Sequence, residues 1–154
     1  MKHDRDMVGA FPVSALDRLD PGEALVVLCL RRWSDGPGAV EALLLPTLGP
    51  SGARACLRAF SEMMGLMQRH CRRPLAQHGQ ACRCVGSDEA ILAHFVMVAA
   101  TGEREDAMLI ASLLVDGPLL LPMVDAARIA GLYLYQAGLR QKASFPEPAS
   151  ATRH

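Results

Sequence analysis

Asp20-Pro21-Gly22-Glu23-Ala24-Leu25-Val26-Val27-Leu28-Cys29-Leu30 decides between a sheet and a helical bundle. Leu25 to Leu30 is apolar on every side, a pattern common to a buried strand and a central helix, so periodicity does not separate the two. The four residues in front of it do. Asp20 is a capping residue, Pro21 suits the first helical position, and Glu23 stands where a capping-box carboxylate reaches back. The spacing predicts a central helix over 21–33.

Outward from this helix the chain stays helical in pattern. Residues 1–13 lack periodicity and are expected to form a flexible arm, followed by a short helical turn over 14–19. On the other side, the breakers Ser34-Asp35-Gly36-Pro37-Gly38 precede a short helix over 39–45 that Pro46 is expected to end. From Ser51 to about Cys71, a stripe of Cys56, Phe60, Met63, Met67 and His70 predicts a long amphipathic helix, with Leu57, Met64 and Cys71 beside it. Pro74 turns the chain out of that helix. Gly86-Ser87-Asp88-Glu89 opens the next, with Ser87 as the expected cap and two acids in the first turn. Helices over 103–115 and 118–139 follow, divided at Asp116-Gly117-Pro118, and 141–154 reads as a flexible tail. The expected fold is all-α: a single-domain bundle of five or six helices over 14–140, with a loop between the third and fourth.

Composition narrows the function. In 154 residues, 51% hydrophobic content fills one core, and 5% aromatic content argues against a sheet protein. Basic and acidic residues balance at 16 each, so no global field draws nucleic acid or an anionic membrane. The opening Met1-Lys2-His3-Asp4-Arg5-Asp6 lacks the apolar centre of a secretory leader. Five cysteines then point to a reducing, cytoplasmic setting, where clustered thiols bind metal or do redox work. The apolar stretch from Ala107 to Leu139 is interrupted by Asp116, Asp125 and Arg128, so buried helices are expected in place of a membrane span.

The loop over 71–84 holds the chemistry. Cys71, His78, Cys82 and Cys84 follow the spacing Cys-x6-His-x3-Cys-x-Cys, four soft or borderline donors within fourteen residues. A helix end and a short returning loop suit a closed tetrahedral site, and zinc is the expected ion ahead of an iron–sulfur cluster. With four protein ligands, the ion would be structural and not hydrolytic. His70 is the substitute for Cys71 or a support for a ligand, although its stripe favours partial burial. Cys29 and Cys56 behave as small hydrophobes. Arg69, Arg72, Arg73 and Arg83 crowd the same segment and form an expected rim for an anion or acidic partner. No aromatic residues interleave these arginines, so a nucleic-acid groove is not expected.

Enzyme signatures are sparse, with no phosphate loop, nucleophile elbow or His-Glu-x-x-His helix. The expectation is a non-catalytic zinc-binding regulatory or adaptor protein. Its partner is a protein, or a second copy of the chain held through the apolar C-terminal helix. The alternative is a cysteine-based redox sensor or metalloenzyme using Cys82 and Cys84.

Overall fold

A computed structural model describes residues 8–144. Among them are five α-helices, numbered here in chain order: α1 (Pro21–Trp33), α2 (Pro37–His70), α3 (Ser87–Thr101), α4 (Arg104–Ala111) and α5 (Leu120–Ser144). The all-α expectation holds, with one addition. A two-stranded antiparallel sheet joins β1 (Pro12–Ala15) to β2 (Cys84–Gly86). Its register places Pro12 opposite Gly86, Ser14 opposite Val85 and Ala15 opposite Cys84. Four residues are too few for a period-2 pattern to register, and β1 lies where an arm and a helical turn were expected. The turn shrinks to a 3-10 helix over Leu16–Arg18.

The helix over 21–33 forms as predicted, with Pro21 in its first turn. Leu25, Val26, Val27, Cys29 and Leu30 are all buried, which accounts for the lack of a polar face. Asp20 contributes its carbonyl to Ala24 N–H at 2.9 Å, but its side chain makes no cap bond. α2 corrects a boundary. The chain remains helical through Pro46 and breaks at Gly49, whose φ of 72° lies in the left-handed region that glycine tolerates. Pro50 follows immediately, beyond the break. Gly86, not Ser87, is the N-cap of α3, and Glu89 reaches back to Gly86 N–H at 3.0 Å. α4 stops at Ala111, which frees Val115 to bridge Cys71 across the bundle.

α5 is the hub and packs against all four other helices. Its contact with α1 is backbone to backbone. A Cβ at Gly138 would stand 2.6 Å from Gly22 N, so only glycine permits this approach. The helix runs to Ser144, which makes 141–144 helical where a tail was expected; 145–154 and 1–7 lie outside the described residues. By length and composition Gly117–Ser144 could cross a bilayer, and here its inner face is taken by the other helices.

Candidate functional site

The long connection from α2 to α3 is held down by two carboxylates in the first turn of α3. Glu89 is wholly buried and meets Arg31 of α1, which is 1% exposed, in a two-pronged pair: Nε to Oε1 at 2.7 Å and Nη2 to Oε2 at 2.9 Å. The remaining Arg31 donors reach the loop. Nη1 donates to Cys82 O at 2.6 Å and Nη2 to Cys84 O at 2.7 Å. Glu89 also accepts His78 N–H at 3.0 Å. Burial pushes the Glu89 carboxyl up, but Arg31 and the Gly86 and His78 N–H groups outweigh it and leave the group below its ordinary value.

Asp88 repeats the device one residue earlier. It accepts Arg73 at 2.7 and 2.5 Å and Ala76 N–H at 2.8 Å. Gln77 donates to Ser34 Oγ at 2.5 Å, and Gln80 donates to Asp35, so the loop is also tied to the turn after α1. Among the described residues, no buried side-chain nitrogen or oxygen lacks a partner.

This scaffold fixes His78 between two groups. Its Nε2 lies 2.7 Å from Ala10 O and its Nδ1 lies 3.4 Å from Cys82 Sγ. A carbonyl oxygen only accepts, so Nε2 carries a hydrogen and the neutral ring turns a bare Nδ1 towards the thiol. The thiol proton is then shared with the ring. His78 is accordingly raised from its ordinary value, first by Cys82 and then by Ala10 O. Cys82 is lowered, first by His78 and then by the Cys84 backbone N–H, and the Cys84 side chain adds to the effect. Each shift favours the imidazolium–thiolate pair.

The four expected ligands do not converge. Among the described residues, no three His, Cys, Asp or Glu side chains are arranged so that they could hold a metal ion. His78 and Cys82 meet, with Cys84 beside them, but Cys71 is committed elsewhere. Its N–H completes the last turn of α2 on Met67 O at 2.8 Å and its backbone pairs with Val115. It lines a separate cavity of about 490 Å³ with Trp33, Met64, Met67 and Leu75. His70 is exposed, not half-buried on the stripe, because α2 ends there and its last turn leaves the core.

Nor do the four arginines make one free rim. Arg73 is engaged by Asp88, while Arg72 donates to Ser112 O at 3.0 Å and lies 3.6 Å from Asp116. Arg69 folds back over Gly65, and Arg83 is exposed with its carbonyl bound by Leu16 N–H at 2.9 Å. Cys29 and Cys56 stay in the core as expected. Burial and then Cys56 push the Cys29 thiol up, and burial pushes Cys56 to about 12.

Sequence reasoning missed Arg31, Asp88, Glu89 and Ala10. Arg31 had a signal: it directly follows a run apolar on every side, where a charge demands a buried partner. Glu89 and Asp88 read as ordinary first-turn acids, and Ala10 acts through its backbone, which leaves no mark in side-chain identity. No protein-family model, curated protein or solved structure matches the chain.

Proposed function

We propose that this chain is a redox-responsive regulatory protein in which peroxide oxidises Cys82 and Cys84 resolves the product. One contact carries the proposal: His78 Nδ1 at 3.4 Å from Cys82 Sγ, with the ring oriented by Ala10 O. A thiol proton moves to His78 and the sulfur attacks one peroxide oxygen. The O–O bond breaks, the leaving hydroxide takes the proton from His78 as water, and Cys82 becomes a sulfenic acid. The Cys84 thiol then attacks that sulfur. The S–O bond breaks, a second water leaves, and a Cys82–Cys84 disulfide remains. Closing so small a ring strains the bond, which keeps it easily reduced and suits a reversible signal.

The zinc-pinned adaptor has less behind it, because its fourth donor sits at the Val115 bridge and two of its rim arginines are already paired. Peptide mapping of protein treated with hydrogen peroxide separates the two. A Cys82–Cys84 disulfide reversed by dithiothreitol is expected, together with a dimedone-trapped sulfenic acid on Cys82 in Cys84→Ser. One zinc per chain with thiols shielded until a chelator is added would overturn the redox proposal.

A further inference from the structure

Resting on the redox chemistry of Cys82 and Cys84, we infer that closing their disulfide releases residues 8–16, a strap whose ties run mainly to residues 78–87. His78 Nε2 donates to Ala10 O, Leu16 N–H to Arg83 O, and Ser87 N–H to Phe11 O at 3.0 Å. Ser87 Oγ donates to Val8 O at 2.7 Å, and Ala15 pairs with Cys84 in the sheet. Burial adds little to these ties. Val8, Phe11 and Val13 are 66%, 66% and 54% exposed, and only Leu16, at the end of the strap, rests a large side chain partly buried against the core. Its attachment therefore depends on the backbone shape of the segment beneath it.

Oxidation alters that shape. The carbonyls of Cys82 and Cys84 both accept from Arg31, at 2.6 and 2.7 Å, and Cys84 is held in β2 opposite Ala15. Residues two apart in a strand hold their side chains parallel, with Cβ atoms roughly 6.5 Å apart. A disulfide needs Cβ atoms about 3.5–4.5 Å apart, so Cys82-Arg83-Cys84 must curl before the sulfurs join. Curling turns Arg83 O away from Leu16 and takes Cys84 out of register with Ala15. It also ends the His78–Cys82 contact that helps orient the ring on Ala10 O. The Arg31–Glu89 pair is buried and costly to open, whereas the strap is exposed and held by few bonds. The strap is what gives way. A redox event at two exposed or half-exposed thiols thereby becomes the freeing of an N-terminal segment with three apolar side chains.

Hydrogen–deuterium exchange with mass detection reads this directly on the full chain, reduced and peroxide-treated, with the disulfide mapped in the same sample. Exchange across 8–16 is expected to accelerate about tenfold or more on oxidation, while α2 and α5 keep their protection. Cys84→Ser treated with peroxide should retain the slow exchange of the reduced protein. A mapped Cys82–Cys84 disulfide with the strap still protected contradicts strap release and leaves the redox chemistry standing. Acceleration in Cys84→Ser would likewise overturn it, because oxidation of Cys82 alone would then open the strap. Absence of the disulfide after peroxide defeats the redox chemistry itself, and the strap release with it.

Discussion

Glu89→Ala is expected to cost about 3–5 kcal/mol of folding stability, read from urea unfolding with an unchanged slope. The substitution strands the Arg31 guanidinium, 1% exposed, without its counter-charge. It also orphans the N–H groups of His78 and Gly86. The figure is a cost of breaking the pair, not its net contribution, because desolvating both ions already offsets much of their attraction. Hence the double variant Arg31→Met with Glu89→Leu should lose less than Glu89→Ala, even though the Cys82 and Cys84 carbonyls then lack their donor. A Glu89→Ala protein within about 1 kcal/mol of the parent would mean that the pair is not the anchor of the loop. The pH dependence has a definite sign. The Glu89 carboxyl lies below its ordinary value when folded, so its contribution is present above the unfolded value and is lost as pH falls through the folded one. Acidification should therefore weaken the parent more than Glu89→Gln.

Phe60→Ala should cost a similar amount, about 3–5 kcal/mol, through lost burial and the cavity left behind. Phe60 is fully buried in α2, and its ring meets Trp33 edge-on with centroids 5.9 Å apart at 65°. Trp33 ends α1 two residues beyond Arg31, so this contact joins the core to the helix that holds the loop. Trp33 is also the only tryptophan in the chain, and its fluorescence reports the same unfolding transition. Loss of less than about 1 kcal/mol would show that neighbouring Met63, Met64 and Met67 collapse into the space, which their flexible side chains permit.

The helices were legible where a period or a cap existed. Pro21 fixed the start of α1, and the Phe60-Met63-Met67 stripe fixed the buried face of α2. Boundaries failed where a local signal pointed the wrong way: Pro46 suggested an end that the chain passes through, and Gly49 supplied it. β1 escaped notice because its partner lies about seventy residues away, and only that pairing makes it a strand. The connection from α2 to α3 does carry His78, Cys82 and Cys84, but spacing alone could not show which donors meet. Cys71 belongs to the end of α2 and is drawn to Val115, while His78 is aimed at Cys82 by Ala10 O and by Glu89 beneath its own N–H. Those long-range ties are invisible in a short motif.

The pairing of His78 with Cys82 is tested most directly by the rate at which iodoacetamide alkylates Cys82 as pH is varied, with Cys71 and Cys84 resolved in the same digest. The buried, raised thiols of Cys29 and Cys56 stay silent in the folded protein. Cys82 in the parent should reach its plateau at a lower pH than an ordinary thiol does, and His78→Asn should move that profile upwards. An identical Cys82 profile in both proteins, indistinguishable from that of a free thiol, would contradict the account.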